Sequence, residues 1–166
     1  EMRVALDSFE VEGIGHNLPF LSAVMDHEKF TSGEMTTAFI EEEYPEGFQG
    51  VELPEASLKK IAAACAAMHR VAEIRRTRVS GRMDNHERRV GADWVVSLQG
   101  HDYPVVVKAD HDGSTVEFGD SALRVSSDWT PGDQLALVQV GDDKVVLKVG
   151  KISGGFRIRS RGADLK

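Results

Sequence analysis

The residues able to do chemistry are scattered. Six histidines (His16, His27, His69, His86, His101 and His111) occur without HxxxH or HxxH spacing, so none of them pairs on a helix face as a metal centre requires. Asp110, His111 and Asp112 stand together, but with Gly113 they spell a hairpin turn, where Asp and Gly serve the backbone. Cys65 is the single cysteine. It falls on an apolar helix stripe, where a thiol is expected to be buried and inert rather than nucleophilic. GIGHNL (13–18) lacks the third glycine of a dinucleotide fingerprint, and GKISGG (150–155) sets Ile152 after its lysine where a Walker loop needs Ser or Thr. Trp94 and Trp129 have no aromatic neighbours spaced for base stacking. No catalytic or metal-binding constellation emerges.

What stands above background is arginine. Residues 70–90 hold seven arginines against Glu73, Asp84 and Glu87. Arg75, Arg76 and Arg78 suit the end of a helix, where cations favour the dipole. Arg82, Arg88 and Arg89 lie beyond it, on a loop of about ten residues that also carries Met83, Asn85 and His86. Loops of that length in compact domains tend to carry function, and Arg and Met are enriched at protein interfaces. A second basic feature is GFRIRSRG (155–162). There Phe156, Ile158 and Ser160 alternate with Arg157, Arg159 and Arg161, as on a strand with a basic outer face protecting a sheet edge.

The elements that must carry these residues fall into two groups. Residues 1–44 read as short helices, with Asn17 capping LPFLSAVMDHEKF (18–30), Thr36 or Thr37 capping a second short helix, and Pro45 ending it. EGFQGVELPEAS (46–57) is a linker by composition. Residues 55–79 predict a long helix. Leu58, Ile61, Cys65, Met68 and Ala72 step by three and four, and the flanks are alanine (62–64, 66, 67). After residue 88 the period becomes two. Seven short runs from WVVSLQG to GFRIRSRG are separated by QGHD, DHDG, FGDS, WTPGD, VGDDK and SGG. Short turns between short strands predict antiparallel hairpins, and a slim helix apolar on nearly every side is what a surrounding sheet accepts. The expected fold is therefore α+β, a long central helix inside an antiparallel barrel of about eight strands, preceded by short helices.

Composition bounds the partners. The 166 residues carry a net charge of −7 with 41% hydrophobic and 28% charged residues, which argues against wholesale nucleic-acid binding. No run approaches the roughly 20 apolar residues of a membrane span. One cysteine excludes an internal disulfide framework and fits a reducing compartment. Residues 1–50 hold eleven acids against Arg3 and Lys29, an imbalance that separates them from the arginine-rich middle. The opening EMRVALDSF starts in mid-helix pattern without a cap, as a fragment of a longer chain would.

Certain strings carry a resemblance. ALDSFEVEGIGHNLPFLSAVMDHEKF and TTAFIEEEYPEGF resemble the end of the biotin carboxylase module of biotin-dependent acyl-CoA carboxylases. The matching positions are Ala5 to Phe9, Gly13 to Leu21 and Thr36 to Ile40. The stretches LKKIAAACAAMHRVAEIRRTRVSGRMDNHERRVG, DWVVSLQG, DWTPGDQ and GKISGGFRIRSRGADLK are similar to bacterial propionyl-CoA carboxylase alpha subunits. The resemblance implies two parts. Residues 1–47 would be the end of the biotin carboxylase module. Residues 48–166 would be the domain joining it to the carboxyltransferase, with helix 55–79, a hook loop 80–89 and a barrel 88–166. By position the hook that grips the carboxyltransferase beta subunit maps to Ser80, Gly81, Arg82, Met83 and Asp84, continuing through Asn85, His86, Glu87, Arg88 and Arg89.

The resemblance further implies a hetero-oligomer of six alpha and six beta subunits that carboxylates biotin with ATP and bicarbonate, then propionyl-CoA. Biotin, ATP and Mg or Mn would be held by segments outside this sequence. The ATP-grasp motifs and the Met-Lys-Met biotin acceptor do not occur in it, and Lys166 has no such neighbours. The chain would also meet the subunit's own biotin carboxylase and biotin carrier domains, but no nucleic acid or membrane. A bacterial cytoplasm is expected, or a mitochondrial matrix for an animal source. The alternative is a stand-alone barrel that binds a small acyl or anionic ligand.

Overall fold

The structure, a computed structural model, describes residues 2–9, 11, 15–78 and 89–166. Among the described residues the helices are α1 (Met2–Ser8), α2 (Leu18–Asp26), α3 (Glu28–Ser32), α4 (Phe39–Glu43) and α5 (Glu55–Thr77). The strands are β1 (Asp93–Leu98), β2 (His101–Asp110), β3 (Gly113–Phe118) and β4 (Ser121–Ser127), then β5 (Leu135–Val140), β6 (Asp143–Ile152), β7 (Gly155–Ser160) and β8 (Ala163–Leu165).

The short helices differ from the sequence expectation in their caps. Asn17 occupies the N-cap of α2, but its side chain makes no cap hydrogen bond; its carbonyl accepts from the Leu21 N–H instead (2.9 Å). The expected helix 18–30 breaks at His27. That residue is extended (ψ 139°), and its Nδ1 accepts from the Lys29 N–H to cap α3. An extended residue ends the i to i−4 ladder, so one helix becomes two. Neither Thr36 nor Thr37 caps α4; Ala38 holds that position without a side-chain bond.

Helix α5 and the strands follow the sequence pattern. Residues 61–68 are buried without interruption. Neighbours on a helix point about 100° apart, so eight consecutive buried residues mean that the helix is enclosed on all sides. The eight strands pair in chain order, each antiparallel to the next, and form a nearly closed barrel. Every predicted turn string lies at a strand junction. The strand that the sequence pattern misses is β8, only three residues long and pairing Ile158 with Leu165. Its presence moves β7 off the sheet edge: Arg157 faces a neighbouring strand and forms an ion pair with Asp164 on β8.

The barrel lining is Val105, Val107, Val116, Val125, Leu147 and Ile158, all in one apolar cluster with α5. Period-two alternation is clearest in β5, where Ala136, Val138 and Val140 point inward and Leu135 and Leu137 are exposed. Burying a side chain such as Leu147 or Ile158 contributes about 1.5–3 kcal/mol. The slim alanine face of α5 lets the curled sheet close around it.

Candidate docking interface

The hook residues Ser80 to Arg88 lie outside the described residues. Arg89, the last of them, is described and exposed. What the structure defines is the helix end before residue 79 and the strand after residue 88.

The departing end is the last turns of α5. Arg75 is not merely a dipole cation there: its Nη1 donates to the Pro131 carbonyl at 3.1 Å. Pro131 belongs to the β4–β5 connection, WTPGD, which is itself braced. The Trp129 indole donates to the Asp133 carbonyl (2.9 Å), and one Asp133 carboxylate oxygen accepts from both the N–H and the hydroxyl of Thr130 (2.9 Å each). Those hydrogen bonds, first the backbone one, and the nearby Arg75 charge hold the Asp133 carboxyl below its usual range. Two residues before Arg75, Glu73 is only 3% exposed and pairs with Arg76. A carboxylate so buried remains only because it is paired.

The returning end is β1. The Ala92 carbonyl accepts from the Val107 N–H at 2.8 Å, which extends the β1–β2 ladder toward the loop. Trp94 on β1 packs edge-on against His69 of α5 (4.8 Å between ring centres). His69 also meets Phe156, which meets Trp129 at 5.8 Å. His69 of α5, Trp94 of β1, Phe156 of β7 and Trp129 of the WTPGD turn thus form one aromatic cluster. Sequence reasoning took WTPGD for a turn alone. Its usable signal was Asp133 three residues after Thr130, the spacing of a side-chain-closed turn.

The other candidate chemistry resolves into structure. Burial pushes the Cys65 thiol up to about 12, so it is an inert core group. DHDG is the β2–β3 hairpin turn: Asp110 accepts from the Asp112 N–H (2.9 Å) and pairs with Arg124 across the sheet. Among the described residues no three His, Cys, Asp or Glu gather to hold a metal ion. No helix there is long and apolar enough to cross a membrane. A groove of about 390 Å³ runs along the β1 side of α5, between Cys65, His69, Trp94 and Phe156. The indole N–H of Trp94 is buried there without a partner.

A helix sleeved by an eight-stranded antiparallel meander, with short helices ahead of it, defines a helix-in-barrel module. The chain belongs to the propionyl-coenzyme A carboxylase BT domain family, whose model matches residues 61–166. The model of the biotin carboxylase C-terminal domain matches residues 1–42. The chain is 78% identical to the propionyl-CoA carboxylase alpha chain of Ruegeria pomeroyi, over 99% of this chain and 24% of that protein. It is 30% identical to the mitochondrial alpha chain of Rattus norvegicus, over 93% of this chain and 21% of that one. A biotin carboxylase of Halalkalibacterium halodurans shares 50% identity over 36 residues, covering 22% of this chain and 8% of that protein. The chain thus spans about a quarter of the length of such relatives, or less.

Proposed function

We propose that the chain is the non-catalytic scaffold of a propionyl-CoA carboxylase alpha subunit. Residues 1–47 end the biotin carboxylase module, and residues 48–166 dock it onto the carboxyltransferase beta subunit through the hook, Ser80 to Arg89. The intact enzyme, with six subunits of each kind, uses ATP, Mg or Mn and bicarbonate to carboxylate biotin. The beta subunit then passes the carboxyl to propionyl-CoA to give methylmalonyl-CoA. This chain contributes to neither step; it keeps the two active regions at a fixed separation for the travelling biotin. It works in a bacterial cytoplasm.

The observation that carries the reading is that the helix end before residue 79 and the strand after residue 88 are both held on the barrel, Arg75 by the Pro131 carbonyl and Trp94 by His69. Tying the Arg75 and Trp94 ends lowers the entropy the loop loses on meeting a partner. The test is light-scattering chromatography of this chain with a purified beta subunit, beside a variant with Arg82, Arg88 and Arg89 replaced by Ala. Co-elution weakened by the triple change supports the reading; separate elution of the unaltered chain overturns it.

A second reading, a barrel that takes up a small acyl or anionic ligand, is favoured by the 390 Å³ groove with its unpartnered Trp94 indole N–H. Such volumes are typical of ligand sites, about 300–1,000 Å³. Titration with CoA and with a short acyl-CoA, watched at the Trp94 indole NMR signal, decides it: an unmoved signal removes this reading.

A further inference from the structure

The helical end and the barrel meet beside the β7–β8 turn. Asp7 on α1 reaches both neighbouring segments with one oxygen. Its Oδ1 accepts from the Ser22 hydroxyl of α2 (3.4 Å) and from the Arg161 backbone N–H (3.2 Å). Arg161 and Gly162 form the two-residue β7–β8 turn, with φ of 50° and 80°, the primed turn that joins tight hairpins. From the adjoining strand, Lys148 of β6 donates to the Leu6 carbonyl (3.4 Å) and the Phe9 carbonyl (2.5 Å). A cation on these final carbonyls stabilises the α1 terminus.

Gly162 shows how close the segments come. A Cβ there would stand 2.5 Å from the Pro19 carbonyl oxygen of α2 and 3.1 Å from a Val51 methyl of the linker. The first turn of α2, the linker and the β7–β8 turn therefore converge on a residue that cannot carry a side chain. A cavity of about 170 Å³ lies beside the contact, lined by Asp7, His16, Lys148, Arg159 and Asp164. These polar bonds and this close approach are specific, unlike an apolar contact that could slide.

We propose that Asp7, Lys148 and Gly162 form the joint that fixes the orientation of the carboxylase-side helices on the barrel, with Asp7 as its positioning residue. The inference rests on the scaffold reading. A scaffold that grips a partner at the hook must be equally stiff where it leaves the carboxylase module, or the separation it sets is lost. Misplacement by ~1 Å costs a reaction about a hundredfold.

The variants are Asp7→Ala, Asp7→Asn and Gly162→Ala. Asn keeps an oxygen that can accept both bonds, so it restores what Ala removes; an effect of charge alone would not be restored. In this chain, residual dipolar couplings read the orientation of residues 15–48 against the barrel, and one alignment tensor fits both in the unaltered chain. Asp7→Ala and Gly162→Ala require two tensors, and Asp7→Asn returns to one. The same changes are then made in a Ruegeria alpha chain carrying this sequence in place of its counterpart, assembled with its beta subunit. Carboxylation of free biotin stays, while transfer to propionyl-CoA falls about tenfold with Asp7→Ala and recovers with Asp7→Asn. A single tensor in Asp7→Ala overturns the joint; unchanged transfer beside two tensors overturns the positioning role. Normal transfer in the hook triple variant would instead mark failure of the scaffold reading, and the couplings would still decide the joint.

Discussion

Replacing Ala63 by Leu tests the enclosure of α5 directly. Ala62, Ala63 and Ala64 all have zero exposure, and at 100° per residue no single contact face could bury all three. Leucine adds three carbon atoms where the barrel leaves no room. Overpacking of that kind costs roughly 1–3 kcal/mol, beyond the few tenths that Leu loses to Ala in helix propensity. For a domain of this size each kcal/mol moves the midpoint by about 2–4 °C, so a cost near 2 kcal/mol lowers Tm by about 4–8 °C. Ala56→Leu is the control. That position is exposed in the first turn of the same helix, and the identical change there stays within about 0.5 kcal/mol. Thermal unfolding followed by circular dichroism, with urea melts to confirm an unchanged m-value, gives both numbers. If Ala63→Leu melts with Ala56→Leu, or above the unaltered chain, the helix has a free side and the helix-in-barrel account is wrong.

Other consequences follow from single contacts. Cys65, buried and held up to about 12, should resist Ellman's reagent in the folded chain and react at once in denaturant. Fast native labelling would show that the core opens at β1. Gly113→Ala should destabilise by more than about 2 kcal/mol, since a Cβ there stands 2.5 Å from the Val125 carbonyl oxygen and φ is 150°; a urea melt measures it.

The carboxylates should titrate in opposite directions. Hydrogen bonds from Arg124 hold Asp110 below the usual carboxylate range, and Arg157 does the same for Asp164. A lowered folded pKa contributes stability that is present above about pH 4 and lost as pH falls through the folded value. Burial raises Asp7. Its carboxylate therefore opposes folding at neutral pH, and that opposition is relieved on acidification. Carboxyl-carbon NMR titration should find Asp7 titrating above Asp110 and Asp164, and Arg124→Gln should move Asp110 upward alone. Arg75→Ala removes the bond to the Pro131 carbonyl. It should weaken beta-subunit binding about three- to tenfold, as the loss of one hydrogen bond implies, while leaving Tm within about 3 °C; calorimetric titration checks the first and a melt the second.

What the sequence reveals and what it hides divide along physical lines. Alanines set between Leu58, Ile61, Cys65 and Met68 announce a slim helix because propensity and periodicity are local. The strands are legible because β-branched residues alternate between two-residue Gly and Asp turns. Asn17 holds the N-cap of α2 as expected, though without a side-chain bond, whereas the cap at Thr36 or Thr37 was misjudged because several polar residues compete for a helix start and the outcome depends on backbone angles. Strand β8 was missed because three residues carry no period; it exists because Leu165 can bury against Ile158. The contacts that root the interface were invisible for a different reason. Arg75 meets Pro131 across 56 positions and Arg161 meets Asp7 across 154, and no spacing rule reaches that far. Composition singled out the arginine-rich stretch 80–89, and only the family resemblance made it a hook.

In the proposed scaffold role, this chain joins two active regions without taking part in either reaction. The most direct test of that role uses the Ruegeria alpha chain carrying this sequence, assembled with its beta subunit, with Arg82, Arg88 and Arg89 replaced by Ala. Carboxylation of free biotin should stay within about twofold while carboxylation of propionyl-CoA is lost, the mark of a broken dock beside an intact catalyst. Loss of free-biotin carboxylation, or propionyl-CoA carboxylation at the unaltered rate, would contradict it.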